Sequence, residues 1–202
     1  TQLQELDLLN LQHFVKIDPD LLKSELPEMA GYLEFERPSA ATKLHRESTQ
    51  MADVLFEHAL AKRKPILVDG SLRDVDYYTS LLKRIRDQFN YQIAILHITA
   101  DRNVIVERAQ RRAQLTGRVV PNDLLELSMS QVPRSVSLLN FLTDAVFTIS
   151  NNEGQPLQLI ESHIRQSNGT VQKLPTFSWQ EFARWWRHDG DRPFSLLLSS
   201  TQ

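Results

Sequence analysis

Pro65-Ile66-Leu67-Val68-Asp69-Gly70-Ser71 reads as a short buried strand that runs into an acidic turn. Helical patterns flank it. Before it, Leu44, Met51, Val54, Leu55, Ala59 and Leu60 recur at helical spacing from Thr42 to Lys62; after it, Asp74 to Phe89 reads as a second helix. Downstream come an apolar strand from Gln92 to Ile98 and a basic helix from Arg102 to Gln114. Pro121 to Leu142 is read as two helices meeting at Pro133, and Ala145 to Ile149 as a further strand. Upstream, Leu3 to Leu11 is an amphipathic helix and Phe14 to Ile17 a short strand. Asp18-Pro19-Asp20 ends that strand and starts a helix expected to turn Leu21, Leu22 and Leu26 inward, and Pro27 to Pro38 is expected to be irregular. Strands alternating with helices predict an α/β fold, a three-layer sandwich with a mostly parallel sheet covered on both faces.

The pattern weakens after Asn151. Leu157 to Ile164 is compatible with a strand or a short helix, Asn168-Gly169 with a turn, and Phe177 to Trp186 with an aromatic helix opened by Ser178. The last residues look polar and frayed. This divides the chain into a body, residues 1–152, and an irregular carboxy-terminal extension, residues 153–202.

With 202 residues, 41% of them hydrophobic, the chain can bury a substantial core. A formal net charge of -2 gives no general attraction to nucleic acid or acidic membrane, and neither is expected as a partner. No apolar run approaches the length of a membrane span. The absence of cysteine removes disulfides, thiolate nucleophiles and Cys-ligated zinc, and fits a reducing, cytoplasmic compartment. Six histidines show no metal-ligand spacing, so no metal ligand is assigned.

In an open parallel sheet, ligands sit beyond the carboxyl ends of the strands. Asp18 and Asp20 follow the first strand there, Asp69 and Ser71 the second, and the third runs toward a helix carrying Arg108, Arg111 and Arg112. An acid that can activate a hydroxyl, together with guanidiniums that can hold charge on phosphoryl oxygens, is the equipment of phosphoryl transfer. Asp20 is the candidate base, with a first-turn acid favoured by the helix dipole as its alternative. Asp69 is a candidate for contacting magnesium through water or for binding a substrate hydroxyl, with plain turn chemistry as its alternative, and Ser71 and Arg73 can reach the same cleft. Arg108 and Arg118 are candidate phosphate-binding residues; Arg111 and Arg112 read as a solvated helix face. Gly117 and Pro121 bracket Arg118 in a segment expected to form a lid. Missing from the 202 residues is any G-x-x-x-x-G-K-[ST], whose backbone N–H groups would cradle the phosphates. Phe177, Trp179, Phe182, Trp185 and Trp186 form either a patch for a protein partner or a face packed on the sheet.

The order of these motifs resembles the zeta toxin family of P-loop kinases. The matching stretches are Phe14 to Asp20, His45-Arg46-Glu47-Ser48, Leu67 to Asp74, Arg108 to Pro121, and Gln131 to Val136, within residues 5 to 152. The resemblance implies a kinase that transfers a phosphoryl group from ATP, with Mg2+, to a small-molecule hydroxyl; bacterial members act on UDP-N-acetylglucosamine. It places Asp20 as base and Arg108 and Arg118 on the phosphates. Asp53, Asp69, Ser71 and Arg73 fall on the acceptor side, with Asp69 where the family usually has glutamate and Ser71 where it often has threonine. A phosphate loop would be expected just before Thr1, and this chain without one is expected to be inactive by itself. The alternative is a catalytically inactive, kinase-derived interaction module.

Overall fold

A computed structural model describes residues 2–35, 43–116, 119–174, 177–187 and 192–200. The elements in chain order are α1 (Gln2–Glu5), β1 (Val15–Ile17), α2 (Pro19–Ser24), α3 (Glu28–Phe35), α4 (His45–Ala61), β2 (Ile66–Asp69), α5 (Val75–Phe89) and β3 (Gln92–Thr99). Then follow α6 (Arg102–Thr116), α7 (Asn122–Leu139), β4 (Ala145–Ser150), β5 (Gln158–Arg165), β6 (Val171–Leu174), α8 (Trp179–Trp186) and β7 (Phe194–Ser200). Among the described residues they build a 7-stranded sheet of order β1-β2-β7-β3-β4-β5-β6. The first five strands in that order run parallel, and β5 and β6 add an antiparallel edge. The fold is the expected α/β sandwich.

Strand alternation sends neighbouring residues to opposite faces. Ile66, Ile93, Ile95 and Leu197 meet α4, α5 and α7 through Phe56, Leu60, Leu82, Ile85, Val136 and Leu139. Their neighbours Leu67, Ala94, Leu96 and Leu196 face the other way, onto Leu3, Leu9 and Phe182. The aromatic helix is therefore a core element. Phe177, Phe182, Trp185 and Trp186 all ring Phe147 of β4, with centroids between 4.9 and 6.0 Å. Ser178 opens α8 with a full capping box, as its position predicted.

Several local expectations give way to tertiary packing. The amino-terminal helix ends at Glu5, because Asp7 takes a positive φ of 53°. Residues 28–35 form a helix where Pro27 suggested irregular chain. Met51 and Val54 of α4 are exposed, and Ala52 and Phe56 face the core instead. Leu21 is also exposed, while Lys23 is buried. Pro133 lies inside the single helix α7, whose Val132, Val136 and Leu139 are anchored in the core on both sides of it. Leu157 to Ile164 resolves as strand β5.

The largest departure is at the carboxy terminus. Residues expected to fray form β7, which pairs in parallel with β2 on one side and β3 on the other. Ser195, Leu196, Leu197 and Ser199 are all buried, so residues 158–200 complete the sheet that residues 15–150 begin. Leu197→Ala should destabilise the protein by about 2–5 kcal/mol, since the cavity opens between both halves of the sheet. Urea unfolding should show a lower midpoint with an unchanged slope.

His97 on β3 is buried and its Nε2 has no hydrogen-bond partner among the described residues. Burial pushes its pKa below the ordinary 6.5. The unfolded chain therefore binds more protons than the native one as pH falls through 6.5, and stability should drop over that window. His97→Leu should flatten this part of the stability–pH curve measured by chemical denaturation.

Candidate functional site

The carboxyl edge of the parallel strands carries the charged residues. At the end of β1, the Asp18 carboxylate caps α2 by accepting from the backbone N–H groups of Asp20 and Leu21, at 3.0 and 3.1 Å. Asp20 lies in the first turn, 3.2 Å from the buried Lys23. Lys16, a residue the sequence did not single out, reaches Asp18 at 2.9 Å and Asp69 at 4.0 Å. It ties the acidic end of β1 to that of β2. A lysine in a three-residue strand carries no pattern of its own, and only the pairing of Lys16 with Leu67 brings it beside Asp69.

The turn after β2 is tightly specified. Gly70 donates its N–H to Leu198 of β7 at 3.1 Å. A Cβ on Gly70 would lie 2.4 Å from the Tyr78 hydroxyl, so any larger residue there must displace that hydroxyl. Leu72 has φ 53° and is only 1% exposed. A left-handed conformation costs an L residue about 1–2 kcal/mol, and the burial of this side chain offsets it. Arg73 Nε donates to Ser71 Oγ at 3.2 Å, and Asp74 then caps α5 through the N–H of Tyr77 at 2.9 Å. Asp69 and Arg73 are half-buried and Ser71 is exposed. Tyr78, also missed in the sequence, is buried with its hydroxyl against Gly70, and its pKa is pushed up to about 12, first by burial and then by Tyr77. Asp53 sits exposed on α4. Its charge, after burial, raises the pKa of Tyr77.

Arg108 projects from α6 to the loop after β4, where Nη1 donates to the carbonyl of Asn151 at 2.9 Å. Asn151 in turn donates its N–H to Thr99 at the end of β3, at 2.8 Å. Arg111 pairs with Glu107 and Glu153 on the exposed side of the helix, as a solvated face should. Arg118 lies outside the described residues. The elements bearing Asp20 and Arg108 thus leave the sheet on one edge, with β2 and β7 between β1 and β3. Three strand spacings put those two ends about 14 Å apart.

Among the described residues, no group of three or more His, Cys, Asp or Glu side chains could hold a metal ion, and no helix is long and apolar enough to cross a membrane.

The sequence model of the Zeta toxin family matches residues 3–161. The chain belongs to the zeta toxin family. No curated protein and no solved structure matches it. The family assignment makes this an ATP-dependent kinase-like domain of the P-loop nucleotide-binding type, a class that generally uses ATP and Mg2+. The match includes every candidate site residue and ends within β5; β6, α8 and β7 lie beyond it.

Gly70→Ala should cost roughly 1–3 kcal/mol through the overlap with the Tyr78 hydroxyl. Deleting that hydroxyl with Tyr78→Phe should relieve part of the overlap, so the double variant should be more stable than the sum of the singles predicts, by about 0.5 kcal/mol or more. Equilibrium urea unfolding of the four proteins measures the coupling.

Proposed function

We propose that the domain transfers a phosphoryl group from ATP to a hydroxyl of a small molecule, with a nucleotide sugar such as UDP-N-acetylglucosamine as the acceptor class. The observation that carries this reading is the shared carboxyl edge of a zeta toxin family sheet, where Asp18, Asp20 and Asp69 stand at one end and Arg108 at the other. Asp20 takes the proton of the acceptor hydroxyl as its oxygen attacks the γ-phosphorus. The bond to the β-phosphate bridging oxygen breaks and ADP leaves. Arg108 and Arg118 balance charge on the phosphoryl oxygens, while Asp69, Ser71, Arg73 and Asp53 receive the acceptor.

The described residues do not by themselves form a magnesium–triphosphate cradle. Asp18 is drawn to Lys16 and Asp20 to Lys23, and no G-x-x-x-x-G-K-[ST] is present.

One observation favours the second reading, a non-catalytic interaction module. The helices α1 and α4 lie on opposite faces of the sheet. A right-handed unit entering through α1 would have to come from a strand on the β2 side of β1. The place that the β2–α5–β3 connection skips on that side is filled by β7, whose sequence Phe194-Ser195-Leu196-Leu197-Leu198-Ser199-Ser200 carries no glycine.

The two readings separate in ATP turnover by the natural full-length protein against nucleotide sugars and other small hydroxyl compounds. On the kinase reading Asp20→Asn should lower turnover by roughly 10²-fold or more, and Arg108→Ala by a similar factor. An Asp20→Asn rate equal to wild type rejects the base assignment. Absence of turnover across the panel, with the fold intact by circular dichroism, supports the module.

A further inference from the structure

We infer that Tyr78 is a positioning residue: it holds the Asp69–Arg73 turn in its strained form, so that Asp69, Ser71 and Arg73 are preset to receive the hydroxyl groups of the acceptor. The inference rests on the acceptor-pocket reading above and adds the device that shapes the pocket.

A buried leucine in the left-handed region is a genuine outlier, and such strain persists only where its surroundings over-determine it. Here the restraints are visible, and they converge from the inner side of the turn. The Leu72 side chain is locked in the same apolar cluster as Tyr78, Leu82 and Val132. The Tyr78 hydroxyl fills the space that Gly70 leaves open, so close that a Cβ built there would lie 2.4 Å from it. Gly70 is pinned to Leu198 at 3.1 Å, and Ser135 Oγ of α7 donates to the Arg73 carbonyl at 3.5 Å. The outer side of the same five residues presents a carboxylate, a hydroxyl and a guanidinium, with Ser71 and Arg73 already joined at 3.2 Å. Fixed from within and polar without, the turn has the form of a preorganised recognition element, which spends no binding energy on ordering itself.

Tyr78 is not itself placed against the acceptor. It is only 8% exposed, and burial keeps its hydroxyl protonated far above neutral pH. Its part is to present a hydrogen-bonding atom that phenylalanine lacks while keeping an aromatic ring in the core. Tyr77 beside it is exposed and shares no such contact with Gly70.

Hydrogen exchange of Tyr78→Phe tests the inference directly. Amide exchange at Ser71, Leu72 and Arg73 should accelerate roughly tenfold or more, with the β3 and β4 amides keeping their protection. In the natural full-length enzyme, KM for UDP-N-acetylglucosamine should rise by a similar factor of about ten while kcat stays within about twofold, the pattern of a loosened binding element. Unchanged exchange at those three amides, protection lost evenly across the sheet, or a fall in kcat with KM constant would each overturn the inference. Should Tyr78→Phe not fold, Gly70→Ala pushes the hydroxyl away from the opposite side, and the same three amides must respond. If the wild-type enzyme does not use the nucleotide sugar, the acceptor reading fails, and the exchange measurement still decides the role of Tyr78.

Discussion

The backbone ladder on either side of β7 is what the rest of the molecule depends on. Ile66 to Asp69 pair with Ser195 to Leu198, and Gln92 to Ile98 pair with Phe194 to Ser200. The chain passes from β2 to β3 through α5 without pairing those two strands directly. Without an occupant between them, a full row of backbone N–H and C=O groups on each strand would lack partners in the middle of a core, at a cost of about 1–3 kcal/mol per unsatisfied group. The last strand supplies those partners, and Leu196 and Leu197 supply apolar surface to both faces. The same ladder extends one bond further to Gly70, so that the geometry of the acidic turn is continuous with the centre of the sheet.

Electrostatics at the carboxyl edge follow from that order. The acids stand after β1 and at the end of β2, and the phosphate-binding candidate Arg108 on α6 beyond β3, with the buried serine-bearing strand β7 between them. Lys16 keeps Asp18 and Asp69 from repelling each other, and the Asp18 cap fixes the start of the helix that carries Asp20. These partly exposed ion pairs contribute little to stability, on the order of 0–1 kcal/mol each. Their consequence is orientation: each carboxylate is held by a neighbour whose own position is set by a strand or a cap.

Much of this was legible in the residues. Periodicity located β2, β3, β4, α5 and α6, because each has a long or strongly apolar face that packs as its own sequence dictates. The Ser178 cap was equally plain, since side-chain capping is a local interaction. What escaped depends on distant chain. Phe194-Ser195-Leu196-Leu197-Leu198-Ser199-Ser200 looks half polar, and Ser195 and Ser199 are buried only because strands far away in sequence leave a gap of that width. Leu72 in Asp-Gly-Ser-Leu-Arg reads as an ordinary turn residue, and its positive φ is imposed by the pocket beneath it. Lys16 and Tyr78 belong to the site through pairing and packing that no spacing rule encodes.

The two apolar cores explain why the acidic turn can be rigid while its outer face stays polar. Leu72, Tyr78 and Val68 belong to the core that α4, α5 and α7 close, whereas Leu67 and Leu198 turn to the core under the aromatic helix. The end of β2 is therefore gripped from both sides of the sheet within a few residues, and strain at Leu72 has no soft direction in which to relax. Arg108 is held differently, by one guanidinium bond to the Asn151 carbonyl and by the small cluster of Ile105, Ala109 and Leu125 beneath its helix. On the kinase reading this asymmetry suits the chemistry. The acceptor must be oriented to within a fraction of an ångström before its hydroxyl can attack, whereas a guanidinium follows charge that moves during transfer. The tightly packed half of the edge lies where orientation is needed, and the more lightly anchored half where a cation has to adjust.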